Sequence, residues 1–291
     1  MPVWAQAEDG RAITRLARAD FHSTIGGHEA AVEGIRSPKD PLVLLLVFDL
    51  VGDLYRIDFA RRTVAEFFSD LDDQWYVASL QAQDGLRVVA DPTRDHERLT
   101  ELLNGLSVSG FPGLLDSVSG AAAIAHSMLQ DSNVRVAVLY LTDGGIEDYR
   151  GDYSSPVVNP SDNRDLSRRF RDRIVQEKIA SLSDDLAQYV APLFFVHLEE
   201  RSDSLNVTYQ NGIRQFAQIS GGGAYFARTP ADVPLMINSA LDRIRQHYAL
   251  TLKLPENARG PLRLTVGAEG AARLEHRETL TIEVKKRKGK R

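Results

Sequence analysis

The chain has 291 residues, 43% of them hydrophobic and 26% charged, no cysteine, and a formal net charge of -5. That length buries one large core, or one large and one small. The acidic balance argues against general binding of nucleic acid or anionic lipid, and the lack of cysteine removes disulfides, thiolate metal sites and thiol catalysis together.

Residues 1–40 hold short β-like stretches and turn signals, among them Glu8-Asp9-Gly10 and Gly26-Gly27, and read as an N-terminal β segment. Residues 41–48 then form a continuous apolar run ending at Asp49, the pattern of a strand buried on both faces of a parallel sheet. The run is far too short to span a bilayer. Leu54, Ile57, Ala60, Val64, Phe67, Phe68 and Leu71 share one face of a helix whose other face carries Arg56, Arg61, Arg62 and Asp70. Residues 75–80 and 86–90 read as two short strands joined by a Gln-Asp-Gly turn, and 93–103 as a helix capped by Thr93.

After a Gly- and Pro-containing loop, 114–129 is helical and 134–141 is a second buried strand that closes on Thr142-Asp143-Gly144. A polar loop leads to a long charged helix over about 162–188, then to a third buried strand at 192–197. A helix ending near Ile219, a turn through Gly221, Gly222 and Gly223, a brief strand at 224–227 and a last helix opened by Thr229-Pro230 follow. Alternating strands and helices over 41–248 predict a doubly wound, mostly parallel α/β sheet flanked by helices. Residues 249–285 alternate apolar and polar residues, as antiparallel strands do, and are expected to pair with residues 1–40 in a small β-sandwich. Residues 286–291 belong to a basic tail that reads as a solvated run able to touch acidic surfaces. The first residues lack the basic and apolar regions of a signal peptide, but a leader removed before them would leave the same start. The cellular address stays open, export from a bacterium included.

The order of these elements resembles the von Willebrand factor A family, and more narrowly its bacterial VWFA-related proteins. The resemblance rests on Asp9-Gly10-Arg11, on Phe48-Asp49 at a strand end, on Leu141-Thr142-Asp143-Gly144, and on Gly222-Gly223-Ala224-Tyr225-Phe226. It implies a protein-binding module that engages its partner through loops at the C-terminal edge of the sheet. In that family the edge carries a metal-ion-dependent adhesion site, in which Mg2+ is held by oxygen ligands and keeps one position open for an acidic group of the partner.

The sequence departs from that ligand pattern. The first loop reads Asp49-Leu50-Val51-Gly52-Asp53, so Val51 and Asp53 stand where serines are expected, and Pro112 falls near the threonine position. Asp49, Asp143 and Asp53 remain as metal candidates. Either Asp53 reaches an ion and partly replaces the missing hydroxyls, or the site is weakened or lost; three altered positions of five favour the second, because Mg2+ tolerates imperfect geometry poorly. Asp49 also reads as a helix cap, Asp53 as a first-turn carboxylate, and Asp143 as a turn residue. Partner contacts are expected from Asp148, Tyr149, Arg150 and Tyr153, in the loop that leaves the sheet beside Asp143.

The seven histidines show no metal-ligand spacing and no nucleophile elbow is present. A Mg2+-dependent hydrolase of the haloacid dehalogenase type would need a second Asp where Val51 stands, so the expectation is a non-enzymatic module. A structural or scaffold role is the alternative.

Overall fold

The computed structural model describes residues 1–149, 164–255 and 259–282, with the side chains of 164–172 and of 282 left aside. Arg150, Tyr153 and the basic tail lie outside the described residues.

Four short strands open the chain: β1 (Pro2–Gln6), β2 (Phe21–Ile25), β3 (His28–Glu29) and β4 (Val32–Arg36). The central part runs β5 (Leu42–Asp49), α1 (Leu54–Ser69), β6 (Trp75–Gln81), β7 (Arg87–Thr93), α2 (His96–Asn104), α3 (Leu114–Asp131) and β8 (Arg135–Thr142). It continues through α4 (Arg164–Leu186), β9 (Leu193–His197), α5 (Ser204–Ser220), β10 (Gly223–Phe226) and α6 (Val233–Arg245). The chain then forms β11 (Tyr248–Leu252), β12 (Gly260–Ala268), β13 (Arg273–His276) and β14 (Thr279–Ile282).

The central sheet has six strands in the order β10-β9-β8-β5-β6-β7, parallel except for the edge strand β7. Every residue of β5 and β8 is buried, as the unbroken apolar runs require. Alternation sends Leu42, Leu44, Leu46 and Phe48 to one face, against α1 and α6, while Val43, Leu45 and Val47 meet the opposite layer around α3 and α5. The sheet is therefore covered on both sides, and its strand ends are the free places.

Two four-stranded sheets, β13-β1-β11-β4 and β14-β12-β2-β3, are built from both ends of the chain and share an apolar cluster that includes Val3, Ile25, Tyr248, Leu250 and Leu264. Trp4 fastens β1 to the central part: its indole donates to the Arg243 carbonyl at 2.7 Å and its ring meets Phe194 edge-on. Arg135, fully buried, does the same from β8. Its guanidinium donates to the carbonyls of Pro38, Asp40, Arg245 and His247, which ties the sheet to the segments before β5 and after α6.

Two expected helix starts move. Thr93 ends β7 instead of capping a helix, because Asp95 accepts from the Arg98 amide and so caps α2 itself. Thr229-Pro230 opens a short 3-10 turn, Pro230–Asp232, before α6 begins. The turn expected through Gly221 is present: Gly221 takes φ +78° at the end of α5, and a Cβ at Gly222 would fall 1.9 Å from the Leu193 carbonyl oxygen.

Candidate functional site

The parallel register sets Asp49 beside Thr142 at the C-terminal ends of the two central strands, and Asp143 follows at once. The two aspartates thus meet at the same rim, with the Asp143 amide 3.3 Å from the Asp49 carbonyl oxygen. What surrounds their carboxylates decides the chemistry. Asp49 is completely buried; one oxygen accepts from the Gly113 amide at 2.7 Å and the other from the Thr142 hydroxyl at 3.0 Å. Asp143, almost as deep, accepts from the Val51 amide at 2.7 Å and the Gly52 amide at 2.9 Å.

Each carboxylate is therefore a clamp between loops. Asp49 does not cap the following helix; that cap is Asp53, which accepts from the Tyr55 amide at 2.8 Å and lies 3.5 Å from the Arg56 guanidinium. Gly113 is needed where it stands, because a Cβ there would lie 1.8 Å from the Ala82 carbonyl oxygen. Pro112 packs against Gly144, close enough that a Cβ on Gly144 would come within 2.5 Å of it.

This donor set does not fit Mg2+. A hard cation needs outward-facing lone pairs from several oxygens; here N–H groups aim the positive ends of their dipoles at both carboxylates. Val51 has no donor atom and Asp53 is committed to its helix. Among the described residues no group of three or more Asp, Glu or His side chains is placed to hold an ion.

Burial raises the Asp49 carboxyl from an ordinary 3.8 to about 7, against the lowering pull of its bonds to Gly113 and Thr142 and with a small push from Asp143. Asp143 is likewise raised by burial, with the Val51 and Gly52 amides opposing. Beneath the pair, burial raises the phenols of Tyr140, Tyr149 and Tyr209. His197 is pushed down to about 4 by burial, and its Nε2 bonds the Gly144 carbonyl while its Nδ1 accepts from the Glu199 amide, the neutral form.

Of the expected contact residues, Asp148 is on the surface, accepting from the Gly145 amide at 2.8 Å and standing 3.6 Å from Arg201. Tyr149 is buried: its hydroxyl accepts from the Leu115 amide at 3.1 Å and its ring packs on Tyr209. It shapes the rim from below and presents no side chain to a partner. Arg201 also pairs with Glu147 and Glu199, and Asn206 accepts from the Ile146 amide while donating to Glu147, so the start of this loop is fixed to α5.

Sequence reading missed the apolar rim. Seven large apolar side chains are exposed among the described residues, and Leu54, Tyr55, Phe111, Val207 and Leu235, between 39% and 66% exposed, are five of them. Leu54, Tyr55, Val207 and Leu235 stand in the first turns of α1, α5 and α6, and Phe111 lies two residues before Gly113, so all five surround the strand ends. Leu54 reads in the sequence as part of the buried face of its helix, yet it is 66% exposed; the local trace is that Leu54 and Tyr55 directly follow the cap Asp53 and Phe111 directly precedes a Pro-Gly pair.

No family model matches the chain, and no curated protein matches it. Among solved structures, the PilB minor pilin from Streptococcus sanguinis is similar at a TM-score of 0.51 and 11% identity, covering 74% of this chain and 63% of that one. Conserved hypothetical protein BatB from Bacteroides thetaiotaomicron aligns at TM-score 0.43 and 12% identity over 70% of this chain and 98% of its own. The SpRpn10 VWA domain aligns at 0.41 and 12%, over 68% and 94%. At such identities the pilin comparison is one of fold alone: a mostly parallel sheet between helices.

Proposed function

We propose that this chain is a von Willebrand factor A-like, non-enzymatic protein-binding module that engages its partner through the C-terminal edge of the central sheet without a metal ion. The observation that carries the reading is the gathering of Leu54, Tyr55, Val207 and Leu235, four of the seven large apolar side chains exposed among the described residues, around that one edge. Single exposed apolar residues need no explanation, but a group sharing one rim is what a protein interface leaves bare in the absence of its partner. Asp148, with Glu147 and Glu199 held by Arg201, gives the rim a charged border.

The same geometry speaks against a hydrolase. A nucleophilic carboxylate must reach its substrate, and Asp49 has no exposed surface and two donors on its oxygens.

The test is affinity capture from an extract of the cells that make the protein, with wild type and with Leu54→Glu/Tyr55→Glu, each with and without EDTA. Capture that persists in EDTA and is lost in the double variant is expected. Capture unchanged by the variant, or abolished by EDTA and restored by Mg2+, overturns the proposal.

A further inference from the structure

A chain of ion pairs runs across the C-terminal rim of the sheet. Asp53, which directly precedes Leu54 and Tyr55, lies 3.5 Å from the Arg56 guanidinium, and Arg56 lies 3.8 Å from Glu199. Glu199 stands 3.1 Å from Arg201, which also pairs with Glu147 and lies 3.6 Å from Asp148. Asn206 donates to Glu147 at 2.7 Å and to Asp203 at 2.8 Å, and Val207 follows it in the chain. The ridge so formed crosses the strand ends from the helix layer of α1 to that of α5, with exposed apolar side chains at both ends.

The two signs of charge are not shown equally to solvent. The side chains of Arg56 and Arg201 are only 10% and 22% exposed, whereas those of Asp53, Glu147, Asp148 and Glu199 are between 36% and 52% exposed. Arg56 spends its donors inward, on the carbonyls of Leu198 and Arg228. The ridge also holds five carboxylates, Asp203 included, against these two arginines, while Glu200 beyond it is balanced by Arg214 and Arg228. Its outer surface is therefore acidic. We infer that the partner of this rim is a protein segment that presents lysine or arginine side chains between apolar ones, the cations over the ridge and the apolar groups on Leu54 and Tyr55 at one end and on Val207 at the other. Opposite charges across an interface steer encounter and select the partner, and like charges brought together repel. An acidic segment, a nucleic acid and an anionic lipid surface all share the sign of the ridge and are refused. Where a bound Mg2+ would call for an acidic group, this edge calls for the opposite sign. The inference rests on the apolar, metal-free rim proposed above and adds the charge of what lies between its ends.

The probes are two blocked nine-residue peptides with a leucine at each end and, between them, serine alternating with lysine in one and with glutamate in the other. Binding is read from the NMR shifts of the Leu54, Tyr55 and Val207 amides at low salt. The lysine peptide is expected to move all three and the glutamate peptide none. Raising NaCl to about 0.5 M, where the screening length falls to about 4 Å, is expected to weaken the lysine peptide at least tenfold. Glu147→Gln/Asp148→Asn/Glu199→Gln keeps an acceptor oxygen at each position, removes three charges and is expected to do the same; if it fails to fold, the salt series on the wild type decides. Leu54→Ser/Tyr55→Ser removes one apolar end at constant charge and separates the two claims. Weakening by that variant, with none from salt or from the triple variant, keeps the apolar rim and overturns the basic partner. Weakening by salt and the triple variant, with none from Leu54→Ser/Tyr55→Ser, overturns the apolar rim and the inference with it. Binding of neither peptide, equal binding of both, or binding of the glutamate peptide that requires Mg2+ also overturns the inference. So does self-association in light scattering that the triple variant dissociates, since the rim would then belong to a second copy of this chain.

Discussion

Replacing Asp49 by Asn isolates the consequence of burying a carboxyl at the sheet edge. Native Asp49 titrates at about 7 against an ordinary 3.8, so between these values the folded chain keeps a proton that the unfolded chain gives up. The folded state then binds more protons, and the stability owed to this group is fully present below the ordinary value and is lost as pH rises through about 7. A displacement of that size corresponds to on the order of 4 kcal/mol. Asn keeps an oxygen for the Gly113 amide, and its NH2 can donate to the Thr142 hydroxyl, which turns from donor to acceptor; the variant thus fits without a charge to bury. His197 and His247, driven down by burial to about 4 and about 3, add an opposite pH dependence, but they are common to both proteins and cancel in the difference. Urea unfolding of both proteins from acid to mildly alkaline pH is the assay. Asp49→Asn is expected to match wild type in acid, to exceed it increasingly as pH rises from about 4 to about 7, and to keep a constant margin above that. Parallel curves at every pH would refute the reasoning. So would a Mg2+-dependent gain in wild-type stability that the variant lacks, because an ion that binds only the folded chain adds stability by mass action.

Other substitutions separate the parts of the site. Gly113→Ala is expected to cost roughly 3 kcal/mol in denaturant melts, since the added Cβ must displace the Ala82 carbonyl and carries the Gly113 amide away from Asp49. Arg135→Leu leaves the carbonyls of Pro38, Asp40, Arg245 and His247 without their donor and is expected to cost several kcal/mol, about 1 or more for each carbonyl left dry. Asp53→Ala is expected to cost about 1 kcal/mol, the value of a lost helix cap, and calorimetry with Mg2+ should give the same trace before and after.

The parallel sheet is legible in the sequence because β5, β8 and β9 are unbroken apolar runs, which only a strand covered on both faces tolerates. The meeting of Asp49 and Asp143 is legible for the same reason, since both terminate such runs. Their surroundings are not. That Asp49 binds the Gly113 amide depends on a loop folding back across the sheet end, a contact between residues far apart in sequence whose only local trace is a Pro-Gly pair. Thr93 reads as a cap because it precedes a helical stripe, yet Asp95 lies closer and accepts more strongly. Tyr149 resembles an interface anchor by residue type; its hydroxyl instead serves the first turn of α3, a role set by the tertiary fold.

The clamps also bear on how rigid the rim is. Val51, Gly52 and Gly113 lie in loops, where amides ordinarily meet water and exchange quickly. Here each donates to a buried carboxylate oxygen, so exchange requires that a charged or proton-sharing acceptor lose its partner inside the protein. These three amides are therefore expected to exchange on the timescale of the central strands rather than of loops. In Asp143→Asn one oxygen is replaced by an NH2 that cannot accept, so either Val51 or Gly52 should lose its protection while the strand amides of β5 and β8 keep theirs. Fast exchange of all three in the wild type would mean that the loops part from the carboxylates in solution, and that Leu54, Tyr55 and Phe111 rest on mobile ground. Slow exchange means that the apolar rim is already in its binding shape, and a partner meets it without the entropic cost of ordering it first.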